Sequence, residues 1–213
     1  MAGKPNPSGE IAYDALRNAL RDGTYHPGDR LREEEVAERL SLSRTPVREA
    51  LRRLESDGIV EHRPRVGAVV RQLSHIEVVE LYEMRTVLEC TAAEMAVKHA
   101  ADAEFDALEA LNTEIEAERS KPSRSAAINQ TFHRNLYLAG RNRFLLEASR
   151  ALNNSLLLLG ETTYSDANRI DVVLAEHNAL ITALKNRDVD AARSAAAAHL
   201  KTSLTYRLKA IGQ

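Results

Sequence analysis

Four side chains suited to holding a metal ion recur at helical spacing in the C-terminal two thirds of the chain. In "NQTFH", Asn129 and His133 stand four apart, so a helix puts both on one face. His177, in "AEHNAL", shares its face with Leu174, Leu180 and Ile181; His199, in "AAAAHL", shares its own with Ala195, Ala196 and Leu200. Imidazole is the commonest neutral metal ligand, and three of them with an open position suit zinc or a similar divalent ion. Taken singly, each histidine is as well explained as a hydrogen-bonded core or surface residue. Three on separate apolar faces, with a side-chain oxygen at Asn129, point toward one bundle core.

Arg85 is a second outlier. Leu81, Leu88 and Ala92 lie at i−4, i+3 and i+7 from it, so a cation interrupts an apolar stripe. A buried charge needs a partner. Glu89, one turn on, offers an ion pair; the alternative is the carboxylate of a small organic acid, with Tyr82 supplying a hydroxyl.

A third set lies near the N-terminus. "SRTPVREALRRLESDG" places Arg44, Arg48 and Arg52 four apart along one side of a helix, while Val47, Ala50, Leu51 and Leu54 form a buried stripe on the other. Such a helix fits the major groove of DNA, where the planar guanidinium takes guanine O6 and N7 together or grips phosphates. Ser43 and Thr45 at its start can donate to phosphate oxygens. The plain alternative is a solvated face with i, i+4 partners such as Glu49–Arg53.

The surrounding elements favour the DNA reading. A helix is expected over Gly9–Asp22, with Ile11, Ala15, Leu16 and Leu20 inward, after a loose tail over residues 1–8. "HPGDRL" reads as a turn, and a second helix covers Arg32–Leu40, burying Val36, Ala37 and Leu40. Thr45 is expected to cap the third helix, with Pro46 at its first position and Gly58 at its end. "IVEHRPRVGAVVRQ" alternates as a hairpin turning at Arg63–Gly67, which carries Arg63 and Arg65 at its tip. Three helices and a β-hairpin make a winged helix-turn-helix over 9–72. From 74 to 213 the pattern is all helical, with six helices expected at about 75–100, 102–119, 123–140, 142–161, 169–187 and 189–212.

Bulk composition agrees. The net charge is −2, yet residues 43–72 hold 7 basic to 4 acidic side chains, so positive charge is concentrated where the arginine helix and hairpin lie. No apolar run approaches a membrane span, and "MAGKPNPSGE" lacks a secretory signal, so a cytoplasmic location is expected. The lone Cys90 cannot form an internal disulfide and reads as small core filler.

"VAERLSLSRTPVREALRRLESDGIVEHRPRVGAVV" closely resembles the winged helix of the GntR family of bacterial transcriptional regulators. The resemblance implies operator contacts at Arg44, Thr45 and Arg48, with the wing, including Gly67, in or near the minor groove. It departs at Glu34, where the family commonly has a basic residue; Arg32 is the substitute on offer. "VELYEMRTVLECTAAEMA", "NQTFHRNLYLAGRNRFLL" and "AEHNALITALKNRDVDAARSAAAAHL" look like the FCD effector-binding domain that accompanies this winged helix. Six helices instead of seven make it more like the VanR-type subgroup within the FadR subfamily. Many such domains hold a divalent metal through one aspartate and three histidines, positions that correspond to Asn129, His133, His177 and His199. An amide in place of the carboxylate shifts the expected ion toward Zn²⁺ or Ni²⁺.

The reading is therefore a homodimeric regulator on an inverted-repeat operator, controlled by a small organic acid. Two rivals stay open. One is a metal-dependent enzyme acting on a carboxylated substrate, with Glu176 as the only obvious general base; no nucleophile motif, phosphate loop or acid–base pair accompanies it. The other is a constitutive DNA-binding protein whose bundle is purely structural.

Overall fold

Local sequence signals explain the first helices. The structure, a computed structural model, describes residues 7–166 and 168–212. Helix α1 runs Pro7–Arg21, so Pro7 and Ser8 belong to it; the rest of the expected tail lies outside the described residues. Its buried face is Ala12, Tyr13, Leu16, Ala19 and Leu20, while Ile11 is 60% exposed, a rotation of about one residue from the expected face. The aromatic body of Tyr13 packs inward, its hydroxyl donating to Asp57 at the end of α3.

Helix α2 spans Glu33–Leu40 with Arg32 as its N-cap residue, and Ser41 (φ 53°) closes it by donating its N–H to the carbonyls of Ala37 and Glu38. Helix α3 begins two residues earlier than expected, at Arg44, and runs to Ser56 with Ser43 as N-cap. Pro46 is therefore its third residue, still in the first turn, where a missing N–H costs nothing. Gly58 follows at φ 70°, a left-handed position that glycine takes without strain. Strands β2 (Val60–Arg63) and β3 (Gly67–Val70) form the expected hairpin. A two-residue strand, β1 (Arg30–Leu31), completes a sheet of order β1-β3-β2, with Arg30 opposite Val69 and Leu31 opposite Ala68. "HPGDRL" ends in that strand, which is too short to show alternation.

The remaining helices are α4 (His75–His99), α5 (Asp102–Ala117), α6 (Pro122–Ala139), α7 (Arg143–Leu156), α8 (Arg169–Lys185) and α9 (Val189–Ile211). The fold is mainly α: among the described residues, a winged helix-turn-helix followed by six α-helices. A 3₁₀ turn at Leu157–Leu159 replaces the end of the expected 142–161 helix, and a second lies at Thr163–Ser165 in the break before α8.

The chain divides into two compact units, 1–74 with 153–161, and 75–152 with 162–213. The return of 153–161 to the first unit departs from a single break at 72–74. Leu157 and Leu158 join the core built by Leu16, Val47, Leu54 and Ile59, and Arg17 donates to the Asn154 amide oxygen at 3.1 Å. In the second unit, Phe105, Leu108, Phe132, Leu136, Leu184 and Leu200 fill the core, and Cys90 packs there as expected. A smaller cluster joins Ile115, Ile128, Tyr164, Ile170 and Val173.

Candidate DNA interface and candidate metal centre

Burying Val47, Ala50, Leu51 and Leu54 turns Arg44, Arg48 and Arg52 to solvent, as the periodicity requires. These arginines, with Arg32, His62 and Gly67, line a groove of about 740 Å³ between α2, α3 and the wing. Ser43 and Thr45 are exposed at the start of α3, and the Ser43 side chain makes no capping hydrogen bond. Arg63 and Arg65 stand exposed at the wing, Arg65 in the left-handed region at φ 67°. Gly67 (φ 97°) has open space where a side chain would stand, so backbone conformation rather than crowding calls for glycine there.

The arginines are not paired along their own helix. Arg48 donates through Nε and Nη2 to the two carboxylate oxygens of Glu33, at 2.9 and 2.8 Å. Arg44 reaches Glu34 from Nη1 at 2.8 Å and Glu33 from Nη2 at 3.3 Å. The hydrogen bond from Arg48, then that from Arg44, holds the Glu33 carboxyl down at about 2. Arg53 pairs with Glu10 at 3.7 Å and stacks on Tyr13, not with Glu49. Arg32 pairs with Glu35 and Arg63 with Glu61, at 2.9 and 2.7 Å.

In the helical unit His133, His177 and His199, from α6, α8 and α9, come together fully buried, with one ligating atom of each within 4.8 Å of the others. Each ring is aimed by a partner at Nδ1. His177 Nδ1 meets the Asn112 amide oxygen at 3.0 Å; the Asn112 nitrogen donates to the Leu174 carbonyl and Asn178, which fixes the amide so that its oxygen accepts. That sets the tautomer and leaves His177 Nε2 with a bare lone pair. Phe132 stacks flat on the same ring at 3.8 Å. His199 Nδ1 donates to Glu176 at 2.9 Å. His133 Nδ1 lies 2.6 Å from Glu89 Oε2, a close ion contact outside the angle of an aligned hydrogen bond.

Burial drives His177 well below the usual imidazole range; it also lowers His199 to about 4, against the pull of its bond to Glu176. Neutral imidazoles are the form that ligates. His133 Nε2, His177 Nε2 and the Asn129 amide oxygen are buried without a hydrogen-bond partner among the described residues. Orphaned buried polar atoms cost about 1–3 kcal/mol each, so those on the clustered histidines fit a site completed by an ion. The residues present fit the group that the sequence predicts.

Arg85 is buried and pairs with Glu89 at 3.0 Å, the ion-pair alternative, and lies over the ring of Tyr82 at 4.8 Å. Contact between the two is through the ring face rather than the hydroxyl. Burial works against the Glu89 charge, but His133 and Arg85 hold its carboxyl at about 2. Sequence reasoning missed Arg169. It is 2% exposed, donates from Nη2 to Ser203 Oγ at 2.6 Å and lies 3.6 Å from Glu176, while Nε and Nη1 make no hydrogen bond. The Tyr164 hydroxyl, also buried, has no hydrogen-bond partner among the described residues. An arginine at a helix start beside a polar loop carries no burial signal; its burial comes with packing against Ser203 and Tyr206 of α9, which are remote in sequence. Asn112 and Glu89 were missed as supports for the histidines, although i, i+4 spacing to Arg85 flagged Glu89 as an ion-pair partner. Glu176 is held by His199 and Arg169, so it is not a free base. His26, His62, His75 and His99 are exposed, apart from the cluster.

Comparison with known proteins agrees with both halves. Residues 9–70 match the bacterial regulatory proteins of the gntR family, and residues 80–202 match the FCD domain. The chain is 30% identical over 199 residues to the HTH-type transcriptional regulator YdhC of Bacillus subtilis strain 168, covering 92% of this chain and 89% of that one. It is 34% identical over 197 residues to the probable D-xylose utilization operon transcriptional repressor of Paenarthrobacter nicotinovorans, covering 90% and 84%. Among solved structures, Escherichia coli McbR/YncC shares the fold at TM-score 0.85 with 22% identity, over 97% of this chain and 99% of that chain. A GntR transcriptional regulator from Rhodococcus sp. RHA1 superposes at TM-score 0.82 with 25% identity, over 96% and 99%. The arginine-faced winged helix and the helical domain that follows it in the chain are thus those of a DNA-binding transcriptional regulator, not an enzyme, and the chain belongs to the GntR family with an FCD domain.

Proposed function

We propose that this regulator is a homodimeric repressor whose hold on an inverted-repeat operator is controlled by a small organic acid bound at a divalent-metal site in the helical unit. The observation that carries the reading is three buried imidazoles brought together, with His177 and His199 hydrogen-bonded at Nδ1 to Asn112 and Glu176 and His133 Nδ1 lying 2.6 Å from Glu89. His133, His177 and His199 would hold the ion, with Asn129 contributing its amide oxygen directly or through water. A ligand set dominated by nitrogen favours Zn²⁺ or Ni²⁺. The ion would offer its open positions to a carboxylate. Arg85 and Tyr82 remain the effector-side residues the sequence suggested, and Arg169 joins them, because Arg85 is hydrogen-bonded to Glu89 whereas Arg169 Nε and Nη1 make no hydrogen bond among the described residues, Nη1 being in ion contact with Glu176 at 3.6 Å.

The dimer reading is supported by α4, where Ile76, Met84 and Val87 share one face and are 71%, 50% and 57% exposed. Two winged helices related by a two-fold axis match an inverted repeat. Repression is supported by the repressor of Paenarthrobacter nicotinovorans. No helix among the described residues is long and apolar enough to cross a membrane, which fits action in the cytoplasm. Control requires that the acid bind the operator-competent and released states unequally, since an equal binder shifts nothing.

Metal analysis of protein purified without chelator tests the site, with Zn²⁺ or Ni²⁺ near one per chain expected. Gel-shift titration on DNA upstream of its own gene, with and without acetate, succinate and citrate, tests the control. Protein that ignores added Zn²⁺ and Ni²⁺, and DNA binding that no acid alters, would leave the constitutive DNA-binding reading.

A further inference from the structure

A guanidinium has two forks. The side-on fork, Nε–H with one N–H of Nη2, is the edge that Arg48 gives to Glu33. The end-on fork, Nη1 with the outer N–H of Nη2, makes no hydrogen bond among the described residues and presents two parallel N–H groups able to take guanine O6 and N7 together. Arg44 is held the opposite way. Its Nη1 and Nη2 are divided between Glu34 and Glu33, so the end-on fork is occupied by protein. The two carboxylates also differ in setting: the Glu33 side chain is 28% exposed and Glu34 76%. The inner carboxylate is gripped by two arginines; the outer holds one, at the surface, where a DNA phosphate can compete for it.

We infer that Glu33 is a positioning residue for base readout, fixing Arg48 with its end-on fork outward, and that Glu34 is a counter-ion withholding Arg44 from DNA until phosphate displaces it. Arg48 is then the guanine reader of each half-site, and Arg44 a phosphate contact whose strength is set by Glu34. Glu34 stands where the resembling family commonly carries a cation, so its charge lowers affinity for every duplex without altering which sequence is preferred. The inference concerns the DNA-binding unit and holds whether or not the helical unit takes a metal.

The test uses full-length protein and a duplex library with a randomised core. Wild type, Glu33→Gln, Glu33→Asp and Glu34→Gln each select their preferred duplexes, and each is then titrated with salt on the wild-type selection and on random duplex. Glu34→Gln is expected to select the same sequence and bind both duplexes more tightly. Its log K against log salt should steepen by about 0.9 for each phosphate gained. Glu33→Gln is expected to lose the guanine preference, narrowing the ratio of selected to random binding by roughly tenfold, the scale of one bidentate base contact. Glu33→Asp, which keeps the charge on a shorter arm, should recover part of it. A lost fold would lower binding to both duplexes alike, and thermal melting identifies it. Full guanine preference in a folded Glu33→Gln overturns the positioning role; a Glu34→Gln protein with unchanged affinity and salt slope overturns the counter-ion role.

Discussion

Glu89 stands between Arg85 and His133, both buried: one of its oxygens takes Arg85 at 3.0 Å and the other lies 2.6 Å from His133 Nδ1. A single carboxylate thereby joins Arg85 to a candidate metal ligand, both on the inner faces of α4 and α6. The proposed ligand set, with an amide at Asn129, has no carboxylate of its own, and Glu89 would supply negative charge beside it.

Glu89→Gln should therefore weaken metal binding roughly 10–100-fold, the usual effect of removing a carboxylate that supports a ligating histidine. Competition with a chelator of known Zn²⁺ affinity measures it. An unchanged affinity would confine Glu89 to its pairing with Arg85.

Acid should destabilise the metal-free protein at a pH where most proteins are still at their best. His177 and His199 are held below the ordinary value of 6.5, His199 at about 4. The unfolded chain therefore binds more protons than the folded one as pH falls through 6.5, and the neutral-histidine contribution is lost progressively toward the folded values. The slope reaches at most about 1.4 kcal/mol per pH unit for each histidine. Urea midpoints from about pH 7.5 down to about pH 5 should fall steadily; a flat profile would mean that the rings are charged in the fold.

Arg169→Met should abolish stabilisation by whichever acid raises the melting temperature of metal-loaded wild type. Isothermal titration would show the loss as a fall in affinity of at least about tenfold, since a charge-assisted hydrogen bond contributes roughly 1.5–3 kcal/mol. The same acid should bind Arg85→Lys more nearly normally, because Arg85 is already neutralised by Glu89. An acid that binds both variants as it binds wild type would remove Arg169 from the effector site.

Val87→Glu paired with Met84→Glu places charges on the exposed apolar face of α4 without entering the core. Sedimentation should show monomer in place of dimer, with an unchanged far-ultraviolet circular dichroism spectrum. Binding to a two-half-site duplex should fall far more than binding to a single half-site. A variant that stays dimeric would move the interface elsewhere.

Much of this was legible in residue order. The stripe Val47–Ala50–Leu51–Leu54 determined which way the arginines of α3 face, because helical periodicity is local and burial of one side exposes the other. The three histidines were likewise assigned to apolar faces by spacing alone, and all three are buried. Tertiary structure decided the partners: Asn112 at His177, Glu176 at His199 and Glu33 at Arg48 join residues 65, 23 and 15 positions apart. It also decided that 153–161 packs with the first unit, since a leucine-rich segment serves any apolar core equally well. Periodicity reports which side of an element is buried; which polar atom meets which depends on how separate elements pack, and that information is not local in the chain.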